Sequence, residues 1–440
     1  MIKVTVDTDG YIERAFVCRL NYVLDFIQNH PSAPHGLKIS LNDDTSAKIV
    51  INYSQKGGKY QIIPQKIYFD HSINQMIRPI ETEFRYYEFF LTGFANNGGS
   101  EFFPIDIFET IFFHISRYEE WYADENKMDH HGTLASDNQY LVKKNAHNIP
   151  IVDLLVLHFY EKIELKPKLL CSTISISHDI DVIHKHSSFY KFMRGYANIL
   201  FYQPNIRKKL IVHTKSYFNY ILNKQKDPYD TFDWLLIKNN SKISQKIIYW
   251  LTGGNTNYEG FFRIQEPKVN HIIKISKEHG YKIGLHPSYN TIVDKAMMNE
   301  ELQTLNTISS NCIKDIRQHY LRFDIKKTGK ILDELGIKTD SSLGFRDKIG
   351  FRCGTGFPYH LYDFDRECAF GFIEIPLVVM DIAAMRECNW DSVKFVQYIS
   401  AFLEMNKFNT NITFNFHNSF FDPVQVDAEF IKEWYIKTFH

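Results

Sequence analysis

Asp179 and Asp181 stand two residues apart at the end of the run Ser172 to Val182, S-T-I-S-I-S-H-D-I-D-V. Side chains alternate between faces along a strand, so Thr173, Ser175, Ser177, Asp179 and Asp181 share one face, and Ile174 and Ile176 take the other. Two carboxylates aimed at one point cost several kcal/mol in a low-dielectric site unless one is protonated or a cation lies between them. The pair therefore points to a metal or acid/base site, against the plain alternative of an Asp-rich turn after an ordinary strand. Further reactive groups close other apolar runs: His286 to Asn290 in G-L-H-P-S-Y-N, Arg317 to Asp324 in R-Q-H-Y-L-R-F-D, and Asp340-Ser341-Ser342. The last is Asn411 to Asn418, where Thr413, Asn415 and His417 share a face. A single histidine at a strand end is commonly structural, but several apt strand ends in one region are hard to assign to coincidence.

The elements that must position these groups follow from periodicity. From Leu169 onward, β-like runs at 172–177, 246–251, 282–285, 319–323, 337–340, 371–375 and 411–416 alternate with helical stretches at 266–279, 299–313, 327–335 and 391–405. That alternation predicts an α/β fold, a distorted (β/α) barrel of about seven parallel strands, whose active site gathers at the C-terminal strand ends. Residues 1–165 read as a smaller α+β domain, with β-like runs at 48–53 and 60–63 and an aromatic helical stretch at 105–122. The charged, proline-bearing segment 161–168 marks the boundary, giving domains 1–165 and 166–440. Within the first, Arg117 to Glu120 and Asp129 to Gly132 either line a cleft against the second domain or form a charged helix end and a polar loop. Residues 187–226, rich in Lys, Arg and Tyr, interrupt the second as a helical flap, a surface touching membrane or glycan, or a solvated basic helix.

Composition narrows the function classes. Lys+Arg and Asp+Glu each number 51 in 440 residues, so the chain has no electrostatic footprint for nucleic acid, and a neutral glycan or small polar substrate fits better. The six cysteines have no Cys-x-x-Cys spacing and read as free thiols of a reducing cytoplasm. No secretory leader and no apolar run of about 20 residues is visible, so the expected location is cytoplasmic without a transmembrane segment. Neither a G-x-x-x-x-G-K-[ST] phosphate loop nor a G-x-S-x-G elbow occurs.

The order Asp-x-Asp, His-Pro-Ser, R-Q-H-Y-L-R, G-I-K-T-D-S-S-L-G-F, I-G-F-R-C-G-T and a last strand ending in His417 resembles the polysaccharide deacetylase family, NodB-like or carbohydrate esterase family four, over about residues 170–420. Residues 1–165, with F-F-H-I-S-R-Y-E-E-W, resemble the accessory domain preceding such enzymes in bacterial surface-polysaccharide clusters. The resemblance implies one divalent ion, zinc foremost, and an acetylated glycan as substrate. It implies Asp181 and His286 as ligands, Asp179 as general base, His417 as general acid, Arg322 orienting the base or substrate, and Asp340 near the acid. The family's second metal histidine falls on Asn290. Either its amide oxygen ligates, or His178, His184, His186 or His319 substitutes, or the chain is a glycan-binding module that has lost its metal. His178 has the parity of the isoleucines and should face away. A metal-dependent amidohydrolase of a small non-sugar amide is the other alternative.

Overall fold

The computed structural model describes residues 2–42, 46–55, 57–64, 106–202, 205–238, 240–260 and 262–440. Ile105, the start of the expected aromatic helix, lies outside them. The first part holds a four-stranded parallel sheet, order β2-β1-β3-β4, built from β1 (Ile2–Asp7), β2 (Leu37–Leu41), β3 (Ile49–Tyr53) and β4 (Tyr60–Ile62). Helix Arg14–Asn29 packs on it through Phe16, Leu20, Val23, Leu24 and Ile27, which recur at helical spacing. The aromatic stretch is broken: helix Ile107–Ile115 stops where Arg117 takes a left-handed backbone, φ 58°, and Tyr118–Trp121 starts a new turn.

The second part is a nine-stranded sheet, order β10-β11-β9-β8-β7-β6-β5-β13-β12. Its strands are β5 (Thr173–Ile180), β6 (Ile243–Leu251), β7 (Lys282–His286), β8 (Asp315–Ile316), β9 (Thr339–Asp340), β10 (Tyr359–Asp363), β11 (Cys368–Glu374), β12 (Val379–Met380) and β13 (Asn411–Asn415). Every pairing is parallel except β10 with β11. The architecture is therefore mixed α/β with parallel strands, and among the described residues no pairing joins β10 to β12 to close a barrel. One expected strand moves: 319–323 is no strand but begins with a tight turn at His319–Leu321, and the strand is β8, four residues earlier.

The alternation read from Ser172 to Val182 is what the sheet uses. Ile176 joins an apolar cluster with Ile412, Phe414, Phe416 and Phe439, while Ser175 and Ser177 on the other face bond Asn411 and Asn415 of the neighbouring strand at 3.1 and 3.0 Å. A second cluster spans both parts of the chain, from Val6, Leu20 and Phe112 to Tyr362 and Phe372. Across the same junction Arg19 pairs with Glu367 at 2.6 Å. Arg117, Glu119, Glu120 and Arg352 form a buried ion network there, so Arg117 to Glu120 is packed into the junction between the two parts. All six cysteines are unpaired.

Candidate metal and acid/base site

The C-terminal ends of β5, β7, β8 and β13 open into a pocket of about 630 Å³ whose floor holds Asp179, Asp181, His286, His319 and His417. Asp181, His286 and His319 form a group whose donor atoms all lie within 4.8 Å of one another. His286 Nε2 is 3.4 Å from Asp181 Oδ1, and His319 Nε2 is 3.9 Å from Asp181 Oδ2. His286 donates from Nδ1 to the Arg317 carbonyl at 2.6 Å, which fixes the tautomer and leaves the Nε2 lone pair facing Asp181. Burial lowers the His319 pKa to about 4, which keeps that ring neutral and able to ligate.

Asp181 Oδ1 is buried with no hydrogen-bond partner, a costly state for a carboxylate unless a cation takes it. Two neutral imidazoles and one carboxylate are the donor set of three-ligand zinc centres and also suit related divalent ions, so the residues fit the group that the motif order implies. Asn290 does not join them. It is solvent-exposed at the start of a short 3-10 turn and outside the pocket lining, because the chain turns away from the sheet at Tyr289. The third donor grouped with Asp181 and His286 is His319, one of the substitutes considered above. Its placement depends on two consecutive left-handed residues, Tyr320 at φ 57° and Leu321 at φ 49°, a conformation costly for such side chains and concentrated at functional sites. Gly260 holds the other side: a Cβ there would stand 1.9 Å from the Asp181 carbonyl oxygen.

Asp179 is buried and held from both sides. Arg317 Nη1 donates to its Oδ1 at 3.0 Å, and Asn415 Nδ2 to its Oδ2 at 2.9 Å. Burial pushes this carboxyl up, but Arg317, His286 and His417 outweigh it and hold the pKa below the ordinary aspartate value. Arg317 is fully buried and also donates to Ser177 Oγ at 2.6 Å, Asn415 Oδ1 at 2.8 Å and the Ser341 carbonyl at 2.9 Å.

His417 accepts its orientation from Asp381, which the sequence reading missed. The ring donates from Nδ1 to Asp381 Oδ1 at 2.8 Å, and the backbone N–H of His417 donates to Oδ2 at 2.6 Å. The Nε2 atom faces the pocket, 3.8 Å from Asp181 Oδ2. Burial opposes the charged ring, yet Asp381, then Asp181 and Asp179, raise its pKa to about 10.

Two residues expected at the site stand elsewhere. Arg322 touches neither carboxylate; it lies over the Tyr289 ring at 3.7 Å and donates to the His131 carbonyl at 2.8 Å, so the arginine beside Asp179 is Arg317. Asp340 is buried among Ser342 and Glu374 and makes no contact with His417. The signal for Asp381 was a two-residue apolar strand, Val379–Met380, too short to stand out. Among the other substitute histidines, His178 faces away as its parity requires, bonding the Phe416 carbonyl at 3.0 Å; His184 pairs with Glu266 and His186 with Ser216.

The pocket wall comes partly from the first 165 residues. Asp129, His130 and His131 line it, as one of the two readings of that motif allowed. His131 Nδ1 meets the Tyr289 hydroxyl at 2.8 Å, and Tyr258 stacks on Tyr289 with centroids 4.1 Å apart. Tyr320 closes the cluster, 4.9 Å from His131. Arg346 ties this wall together, bonding Asp129, Thr133 and the Tyr320 carbonyl.

Comparison with known proteins gives three findings. A family model described as a family of unknown function, DUF7033, matches residues 10–167. No curated protein matches the sequence. Solved structures similar to the chain include the Puue allantoinase, at 13% identity and a TM-score of 0.35, covering 61% of this chain and 85% of that one. A polysaccharide deacetylase from Bacillus cereus is similar at 10% identity and a TM-score of 0.29, covering 61% and 88%.

Proposed function

We propose that the chain is a metal-dependent hydrolase that removes acetyl groups, foremost N-acetyl groups, from a sugar of a bacterial surface polysaccharide or its precursor. The observation that carries the reading is the convergence of three ligand-competent groups, Asp181, His286 and His319, with a clamped carboxylate on one side and a carboxylate-paired histidine on the other. A divalent ion held by those three residues supplies a water acidic enough to act as nucleophile near neutral pH and polarises the scissile carbonyl.

The chain's own groups do the proton work. Asp179, kept ionised by Arg317, presents Oδ2 within 3.9 Å of His286 Nε2 and takes the proton of the attacking water. His417, kept protonated by Asp381, turns Nε2 into the pocket and delivers its proton to the departing nitrogen. Amine expulsion needs such an acid, since an amide anion is too basic to leave unprotonated. Tyr258 and Tyr320, both exposed in the pocket lining, offer the flat apolar faces that sugar rings pack against, with Tyr289 buried between Tyr258 and Arg322 as backing and polar neighbours to orient hydroxyls. That wall favours a sugar over a small non-sugar amide, and Asn290, being outside the pocket, lends no support to a metal-free binding module.

The test is acetate release from a panel of N-acetylated and O-acetylated oligosaccharides by zinc-, nickel- or cobalt-loaded protein, with elemental analysis of the same samples. Release by the wild type and its loss with the metal in His319→Ala is the expected result. Protein that holds about one metal equivalent yet releases no acetate from any member of the panel overturns the acetyl-sugar assignment.

A further inference from the structure

The segment between β5 and β6 contains a pair of helices, Phe189–Tyr202 and Ile206–Ile221, that the chemistry of the pocket does not use. From Ser187 to Lys226 there are eight Lys and Arg and no Asp or Glu. Since the whole chain is neutral, the remainder carries 43 cations against 51 carboxylates, so positive charge is concentrated here.

The two helices pack on each other by their inner faces, where Phe192 stacks on Tyr217 at 3.9 Å and His213 donates from Nε2 to the Phe192 carbonyl at 3.0 Å. Their outer faces are apolar and open. On the first, Tyr190, Met193 and Leu200 lie within a third of a turn of one another, with Arg194 at the margin. On the second, Ile211 and Phe218 line up with Leu222 just past its end, flanked by Arg207, Lys208 and Lys215. Exposure is high, 73% for Tyr190 and 67% for Ile211. Single exposed apolar residues are ordinary, but two helix faces of them with cations and no carboxylate at their margins have the composition of helices that lie in a bilayer interface.

We infer that this hairpin is a membrane-docking element that seats its apolar faces among the acyl chains of an anionic bilayer, its lysines and arginines on the lipid phosphates. The charge pattern selects that occupant: a second copy would bring like charge against like, and a neutral glycan would leave the cations uncompensated. Neither helix is long and apolar enough to cross a membrane, so the contact is peripheral. The hairpin leaves the sheet at the rim that carries the pocket. Asp181 lines the pocket, and Val182, the next residue, lines an adjoining groove of about 390 Å³ with Lys191 and Arg194. The inference does not depend on which reaction the pocket performs.

The test is co-sedimentation of the full chain with vesicles of phosphatidylglycerol and phosphatidylcholine, beside vesicles of phosphatidylcholine alone. Binding to the anionic vesicles only, weakened by salt, is expected. Lys208→Gln with Lys215→Gln should weaken it about 25-fold, from about fivefold, or about 1 kcal/mol, for each cation removed. Met193→Asp with Phe218→Asp should abolish it. Both pairs are on the outer faces, so thermal unfolding should match the wild type and separate lost binding from lost fold. No sedimentation of the wild type with anionic vesicles overturns the inference, as does undiminished binding by the aspartate pair. Retention on a soluble acidic polysaccharide or self-association removed by the aspartate pair, either without vesicle binding, overturns it in favour of those partners.

Discussion

Replacing Asp381 by Asn tests the proposed acid half of the site through a quantity independent of substrate. In the metal-free protein His417 is raised from 6.5 to about 10, against the effect of burial, chiefly because the Asp381 carboxylate stands 2.8 Å from Nδ1. Each pKa unit corresponds to about 1.4 kcal/mol, so the rise represents on the order of 4–5 kcal/mol of pH-dependent stability. The folded-state pKa is above the unfolded one, so this stability is fully present below about pH 6.5 and is lost as pH rises through about 10. Asparagine can still accept the Nδ1 hydrogen bond but carries no charge, and the ring of the variant should titrate at or below about 6.5. Two measurements apply: an NMR titration of the His417 ring, and urea unfolding at about pH 6 and about pH 9.5. Wild type should lose several kcal/mol between those conditions through this group, and Asp381→Asn should show a much flatter profile. A wild-type His417 titrating near 6.5, or parallel stability profiles for the two proteins, would refute the pairing as the source of the histidine's charge.

The other expectations are shorter. His319→Ala should lose tightly held metal, whereas Asn290→Ala should retain it at wild-type stoichiometry by elemental analysis; the reverse outcome returns Asn290 to the ligand set. Arg317→Met leaves Asp179 buried without its cation and should cost about 3–5 kcal/mol in denaturant unfolding, while Arg322→Met, at a residue backing the pocket-lining His131, should be far milder and act on KM rather than kcat. Glu374 sits buried against Asp340, and burial followed by that neighbour pushes its carboxyl well up, so it is held as the neutral acid. Wild-type stability should therefore fall as pH rises above about 4.5, and Glu374→Gln should remove that slope and be the more stable protein near neutral pH. Gly260→Ala should displace Asp181 and lower metal affinity without touching any ligand side chain, since the added Cβ meets the Asp181 carbonyl, a backbone group that cannot swing aside, with Val182 Cβ behind it.

Local periodicity, which a sequence carries in full, determined much of this site. The period of two along β5 placed Asp179 and Asp181 on the face that meets Asn415 and His286 and turned His178 outward, and the same rule put His417 in register with Asn415. Strand ends are legible because an apolar run must stop where its polar residues begin. The cationic stretch 187–226 was equally legible, since charge and hydrophobicity are properties of residues. What tertiary structure alone decided concerns groups brought together from far apart or turned by unusual backbone. His319 reaches the metal group only because Tyr320 and Leu321 adopt left-handed conformations, which residue type disfavours and which no pattern announces. Arg317 and Asp381 became the partners of Asp179 and His417 across separations of 138 and 36 residues, through strands too short to show a period. Asn290 and Arg322 matched the motif by spacing but were carried out of the floor by the turns after β7 and β8, because spacing constrains distance along the chain and the fold alone sets direction in space.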